Sequence, residues 1–164
     1  MQLYVKTHVN KYVVFNSEGV CVGFVKRSFL PAASLEICTP DGVQIGCVHQ
    51  SGETISLEKN RENFGPYPFN YAVEGEKPPC NSHVKPPLAQ RIKLDSHNGP
   101  VTIVQHTDRT FHIYIQKREV CTMIHTLRLR KEILIFSDMI SIECAMILLA
   151  VCMFMLHDDD MNIV

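Results

Sequence analysis

The sequence lacks the short motifs that mark common catalytic and cofactor sites. It contains no Gly-x-Ser-x-Gly nucleophile turn, no phosphate-binding glycine loop and no dinucleotide fingerprint. It also has no Cys-x-x-Cys pair. The half-pairs Cys80-x-x-His83 and Cys121-x-x-x-His125 stand in separate regions, whereas zinc sites take paired ligands. We therefore expect a protein that is not an enzyme and that has no cofactor and no bound metal.

A secretory signal is also missing. The opening MQLYVKTHVNKYVV has no continuous apolar run after a basic start. The seven cysteines are odd in number, do not cluster and mostly stand in apolar runs. These features favour reduced thiols and a cytoplasmic location.

Net charge is almost absent, since the formal value for the 164 residues is −1. The distribution is uneven, because Val84 to Lys131 carries nine basic and three acidic residues, a local balance of +6. Such a bias indicates either an anionic partner on one face or a set of solvated strand residues that keep the protein soluble.

One pattern occurs twice at a fixed offset. EGVCVGFV (Glu18 to Val25) and DGVQIGCV (Asp41 to Val48) each place an acid-Gly step before a β-branched run. The acid-Gly step is typical of a tight hairpin turn. The second glycines, Gly23 and Gly46, fall inside the following strands and indicate a bulge or a close backbone approach. We interpret the repeat as structural.

Short β candidates with turn residues between them run along most of the chain. Their spacing is typical of a barrel or sandwich, and the composition of 46% hydrophobic and 20% charged residues is that of one globular domain over residues 1–164. About eleven strands are predicted: Leu3–His8, Lys11–Asn16, Val20–Lys26, Ser34–Thr39, Val43–His49, Thr54–Glu58, Phe69–Val73, Ala89–Asp95, Val101–His106, Thr110–Lys117 and Val120–Leu129.

The C-terminal segment differs from the rest. Cys144 to Leu156 reads CAMILLAVCMFML, an unbroken apolar run that predicts a helix buried on all sides or lying in lipid. Ser137-Asp138 is its predicted N-cap. A membrane span is disfavoured because the run is short and an extension towards Met139 would include Glu143. We expect the strands to surround this helix.

The chain resembles the tubby-like superfamily, in particular its phospholipid scramblase and LURP-one-related branch. The resemblance rests on Gly19 to Gly52, on FHIYIQKREVCTMIH (Phe111 to His125) and on AMILLAVCMFMLHDD (Ala145 to Asp159). It implies a mainly β protein, a closed β-barrel of about 11–12 strands around a C-terminal hydrophobic helix. It further implies a membrane-associated protein that binds phospholipid headgroups, with phospholipid scrambling as a related activity.

The chain departs from the scramblase pattern in three respects. It shows no proline-rich N-terminal extension and no cysteine cluster, and RLRKEILIFSDM, just before the helix, holds only Glu132 and Asp138 rather than the spaced carboxylates of a calcium loop.

Two function classes follow. In the first, a basic face of the barrel binds anionic phospholipid at the cytosolic face of the plasma membrane. In the second, the barrel is a soluble scaffold that presents loops such as Gly75–Pro87 to a protein partner. No nucleic acid partner is expected. The candidate lipid-binding residues are Arg91, Lys93, Arg128, Arg130 and Lys131.

Overall fold

The computed structural model describes residues 1–28, 34–52, 54–70, 91–96, 99–106, 110–125, 132–137 and 139–161. These residues form twelve strands and one helix. The strands are β1 (Gln2–His8), β2 (Lys11–Asn16), β3 (Cys21–Ser28), β4 (Ser34–Cys38), β5 (Gln44–Ser51), β6 (Thr54–Lys59), β7 (Glu62–Asn70), β8 (Arg91–Leu94), β9 (Val101–Gln105), β10 (Thr110–Ile115), β11 (Arg118–His125) and β12 (Glu132–Ser137), and the helix is α1 (Ile142–Met161).

The strands form one closed antiparallel barrel. Each strand pairs with its neighbours in the chain, and β12 closes the barrel against β1, with Leu3 opposite Ile135. Closure leaves no free sheet edge. The predicted barrel of 11–12 strands around a helix is therefore confirmed.

Two strands differ from the prediction. β12 was missed, because EILIFS was interpreted as the approach to the helix. β7 begins at Glu62 rather than at Phe69. Pro66 and Pro68 lie within β7. A proline is tolerated in a strand where a bulge interrupts pairing, and the register of β6 with β7 shifts between Ile55 and Leu57.

Helix α1 lies inside the barrel. Leu149, Ala150 and Val151 are fully buried, and they join the inward side chains of the strands in one core. This placement confirms the prediction that the strands surround the helix, although Cys144 and Ile147 are only half-buried. An interior position also explains its missing amphipathic pattern, because strands surround the helix.

The predicted N-cap is wrong. Ser141, not Ser137-Asp138, caps α1, since its Oγ accepts the N–H of Cys144 at 3.2 Å and its carbonyl accepts that of Ala145 at 2.9 Å. Ser137 ends β12 instead, where its hydroxyl donates to the carbonyl of Val120 at 2.8 Å. Asp138 lies outside the described residues. The helix also extends beyond the predicted Cys144–Leu156 at both ends.

The repeated sequence pattern forms two matching hairpin turns. Gly19 and Gly42 have φ values of 79° and 86°, which glycine adopts without strain. Each glycine N–H donates to a carbonyl three residues earlier, that of Asn16 in the first turn and that of Thr39 in the second, both at 3.0 Å. The side chains of Asn16 and Thr39 also accept backbone N–H groups within their turns.

Each hairpin then has a bulge next to its second glycine. Val14 pairs with Gly23 but Phe15 with Cys21, and in the second copy Ile37 pairs with Gly46 but Cys38 with Gln44. At Gly23 an added Cβ would also stand 2.6 Å from the sulfur of Met146 in α1. The predicted bulge occurs in both copies. The predicted close approach occurs at Gly23, where the neighbours are Met146 of the helix and the carbonyl of Cys38.

Candidate functional site

Three lysines and two phenylalanines lie together on the outer surface of β1, β2 and β3. We call this set the lysine–aromatic face: Lys6, Lys11, Lys26, Phe15 and Phe24. The nitrogen Nζ of Lys6 stands 5.2 Å from the ring centre of Phe15, and that of Lys11 stands 5.4 Å from the ring centre of Phe24. Both distances are those of cation–π contacts.

Strand register concentrates positive charge on this face. Lys11 is directly opposite Lys26, an arrangement that costs stability because like charges repel across a strand pair. Glu36 is the neighbour of Lys26 on the far side, so one acid borders the face. Within the described part of the chain, no carboxylate forms an ion pair with any of the three lysines. The face thus presents its charge to solvent.

An apolar side chain projects beside these lysines. Val9, in the turn between β1 and β2, is 97% exposed. His8 precedes it, and the carbonyl of the next residue, Asn10, accepts the N–H of Arg27 at 3.0 Å. This bond ties the hairpin tip to β3. The tip therefore combines a fully exposed valine with surrounding basic residues.

The sequence interpretation missed this face. Residues 1–28 hold four Lys or Arg and one acid, a weaker bias than that of the 84–131 segment. The alternation of β1 to β3 was visible, so the outward direction of the lysines could have been inferred. Their mutual proximity depends on pairing register, which the sequence pattern does not provide.

Two of the predicted site residues lie on β8. Arg91 is half-buried and Lys93 exposed, while Ile92 and Leu94 point inward, so both basic residues are on the outer surface as their spacing predicts. Arg128, Arg130 and Lys131 lie outside the described residues, and their grouping with the β8 pair stays a prediction. β8 is five strands from β1 and from β3 in the barrel order, so this pair and the lysine–aromatic face are on opposite sides.

Beyond β9, a small polar cluster shares the outer surface with Arg91 and Lys93. His112 Nδ1 lies 2.9 Å from Glu119 Oε1, and Thr122 donates a hydrogen bond to the same oxygen. Both hydrogen bonds lower the pKa of the Glu119 carboxyl, and the bond from Thr122 has the larger effect. The His106 ring meets the His112 ring edge-on at 4.9 Å. The cluster is a hydrogen-bonded network on the outer surface of β10 and β11.

Cys47, His49 and Glu58 on β5 and β6 are the residue types of a cysteine nucleophile site. Cys47 Sγ is 4.0 Å from His49 Nδ1, and His49 Nε2 is 3.8 Å from Glu58. Burial, followed by the charges of Glu36 and Glu58, raises the pKa of the Cys47 thiol to about 11. A reactive cysteine needs the opposite shift. The raised pKa of Cys47 therefore favours an inert thiol.

Three further properties describe the chemistry of the chain. Among the residues that the structure places, no group of three or more His, Cys, Asp and Glu side chains could hold a metal ion. In the same part of the chain, no helix has the length and apolarity that crossing a membrane requires. The six cysteines in the described ranges are free thiols.

The fold and surface define a closed twelve-stranded antiparallel barrel that encloses one helix and carries a basic, partly aromatic outer face. No protein-family model matches the chain, and no curated protein sequence is a significant match. Among solved structures, the X-ray structure of the protein AT5G01750 from Arabidopsis thaliana is similar. The TM-score is 0.58 with 11% sequence identity, over 98% of this chain and 90% of that chain. At this identity the similarity shows the fold alone.

Proposed function

We propose that the protein binds the surface of anionic phospholipid membranes through the lysine–aromatic face and the adjoining tip at Val9. The observation that carries the proposal is the convergence of three solvent-facing lysines from three neighbouring strands beside a fully exposed apolar residue. The resemblance to tubby-like and scramblase proteins, noted from the sequence, points to the same class of ligand.

The physical chemistry of the face suits a phosphate-rich surface. A lysine near an anionic membrane contributes about 1 kcal/mol. Val9 would enter the interfacial region, while the lysines that stand over Phe15 and Phe24 would contact the headgroups. Repulsion between Lys11 and Lys26 would be relieved when phosphate groups lie between them. Scrambling lacks comparable support in the described residues, so the proposal stops at binding.

A vesicle sedimentation experiment tests this proposal. A Lys6→Gln, Lys11→Gln, Lys26→Gln variant is expected to bind anionic vesicles roughly 100-fold more weakly than the unmodified protein, since three contributions of about 1 kcal/mol are lost. Binding by the unmodified protein should fall as salt rises, because exposed charges are screened beyond about 10 Å at 0.1 M ionic strength. Neutral vesicles should bind little of either protein.

The matched control changes the same number of charges elsewhere. Arg61, Lys117 and Arg118 are exposed and lie in or beside the turns at the end of the barrel where α1 begins. An Arg61→Gln, Lys117→Gln, Arg118→Gln variant has the same net charge as the first variant and should retain most of the binding. If both variants weaken binding equally, net charge rather than the face attracts the vesicles, and the proposal fails.

The site residues predicted from the sequence are tested in the same assay. An Arg91→Ala, Lys93→Ala, Arg128→Ala, Arg130→Ala variant should bind normally if the lysine–aromatic face is the contact surface. Loss of binding in this variant alone would transfer the site to the other side of the barrel. If the unmodified protein binds neither vesicle type, the soluble scaffold hypothesis takes precedence.

A further inference from the structure

Helix α1 does not fill the barrel evenly. Its backbone lies closest to β3, β4 and β5. Next to this contact, where β6 to β9 continue the barrel wall from β5, a cavity of about 580 Å³ lies between the strands and the helix. Protein interiors contain few voids larger than a water molecule, whereas small-molecule sites measure roughly 300–1,000 Å³. The size of this cavity is therefore that of a ligand site.

The cavity walls are mostly apolar. Cys144, Ile147 and Leu148 share one face of the helix through their spacing of three and four residues. The strands provide apolar side chains opposite that face. Ile147 and Cys144 are only half-buried, so water reaches the interior. The strand side chains that line it are Leu57, Phe64, Leu94 and Val101.

Charged side chains stand at the mouth, where β6 turns into β7 and where the helix begins. Lys59 Nζ lies 3.8 Å from Glu143 Oε2, so the lysine already has an acidic partner. Glu62 and Asp95 are exposed at the same mouth. Glu58 also lines the cavity, and the exposed Arg61 lies in the same turn, so four carboxylates stand against one ammonium and one guanidinium group. An excess of negative charge remains there. A cation that approaches the opening is attracted, and an anion is repelled.

We propose that this cavity binds one alkyl chain whose head group is an amine or a quaternary ammonium. The chain lies between Leu57, Phe64 and the helix, where burial removes its apolar surface from water. The head group stays at the mouth beside Glu62 and Asp95. A methylene group is close in size to a water molecule, whose share of liquid volume is about 30 Å³, so the cavity accommodates a chain on the order of 15 carbons.

This inference is independent of the proposed membrane function. The cavity opens at the end of the barrel where α1 begins, and none of its residues belongs to the lysine–aromatic face. The two ligands also differ in the sign of the charge that is recognised. Either proposal can therefore fail while the other stands.

Binding is measured with three probes that share a chain length and differ in head group: tetradecylamine, tetradecanol and tetradecanoate, each below its micellar concentration. Calorimetry gives the affinity. The rate of Cys144 alkylation by iodoacetamide, followed by mass spectrometry under mildly alkaline conditions, reports the position. Cys21, half-buried at the start of β3 and outside the cavity lining, is the internal reference. The amine should bind most tightly and slow alkylation of Cys144 but not of Cys21.

Two variants test the apolar walls and the charged mouth of the cavity separately. Ile147→Trp places a larger apolar side chain in the space and should abolish binding while the protein stays folded. The control Val43→Trp enlarges a valine that is 62% exposed and outside the lining, and it should bind normally. Glu62→Gln combined with Asp95→Asn should keep alkyl binding but lose at least several-fold of the preference for the amine over the alcohol.

Clear results would overturn the inference. Amine binding that leaves Cys144 alkylation unchanged, or that survives in a folded Ile147→Trp variant, means that the ligand lies elsewhere. Equal or tighter binding of tetradecanoate overturns the assignment of a cationic head group. No heat and no protection with any probe overturns the site itself. If Ile147→Trp fails to fold, the mouth variant and the alkylation pattern still decide.

Discussion

The two walls that face helix α1 differ in how closely they approach it. On β3, an added Cβ at Gly23 would meet Met146 and the carbonyl of Cys38 at less than 3 Å. Between β6 to β9 and the helix, large apolar side chains border a cavity of about 580 Å³. An α-helix with side chains is about 10–12 Å across, and barrel width grows with strand number. One helix therefore does not pack equally against all twelve strands, and space remains beside β6 to β9.

The largest expected effect comes from a charge on the closely packed side. Leu149 is fully buried and follows Met146 by three positions, so it lies on the same side of the helix. An unpaired buried carboxylate costs several kcal/mol against a total stability of about 5–15 kcal/mol, so Leu149→Asp should unfold the domain. Circular dichroism and gel filtration measure the outcome.

The matched variant is Ile147→Asp, on the cavity side. Water in the cavity can hydrate this carboxylate, so the protein should remain folded with reduced stability. A soluble Leu149→Asp variant with a cooperative unfolding transition would contradict the buried position of the helix. An equal loss of stability in both variants would contradict the closer packing of the helix on the Gly23 side than on the cavity side.

A smaller effect is expected from the glycines of the repeated pattern. In Gly23→Ala the new methyl group would overlap both Met146 and the backbone carbonyl of Cys38, and the φ of 156° disfavours any residue with a side chain. Overpacking alone costs about 1–3 kcal/mol. In Gly46→Ala the nearest atom is the carbonyl oxygen of Glu58 at 3.2 Å, so a small shift accommodates the methyl group. Urea unfolding of both variants gives the comparison. A cost for Gly46→Ala as large as that for Gly23→Ala would contradict the tighter surroundings of Gly23.

Filling the cavity should change stability least. Ile147→Phe adds apolar volume where space exists, and its effect should range from none to a gain of about 1 kcal/mol. The same kind of enlargement at Ala150, which is fully buried four residues after Met146, should cost about 1–3 kcal/mol. Thermal unfolding distinguishes the two. A large loss in Ile147→Phe would mean that the cavity wall does not tolerate added volume.

The alkylation rates of two helix cysteines, Cys144 beside the cavity and Cys152 in the core, compare the two surroundings of the helix without any mutation. Burial raises the pKa of the Cys144 thiol, and it raises that of the fully buried Cys152 thiol well above its usual range. Native-state alkylation should therefore be slow at Cys144, should accelerate as pH rises, and should be undetectable at Cys152 until the protein unfolds.

The same mass spectrometry, without reduction, should find all seven cysteines as free thiols. An intramolecular disulfide would contradict the reduced state predicted from the sequence.

Much of the fold was predictable from local patterns. The turn glycines Gly19 and Gly42 adopt the positive φ that their acid-Gly context indicates. The apolar run from Cys144 to Leu156 could only be buried or lie in lipid. The helix start was not predictable in the same way, because Ser137 and Ser141 both suit an N-cap. The choice depends on Ser137 bonding to Val120 of β11, seventeen residues away in the chain.

The sequence by itself determined that most of the chain forms short strands joined by tight turns, and that one apolar helix must be enclosed. These outcomes follow from backbone geometry and side-chain burial, which act over a few residues. Only the tertiary structure decided which charges meet and where space remains. Lys6, Lys11 and Lys26 become neighbours through strand register, and the cavity beside Ile147 remains where the helix and β6 to β9 do not pack closely together. Both depend on contacts between residues that are distant in the chain, which no local pattern encodes.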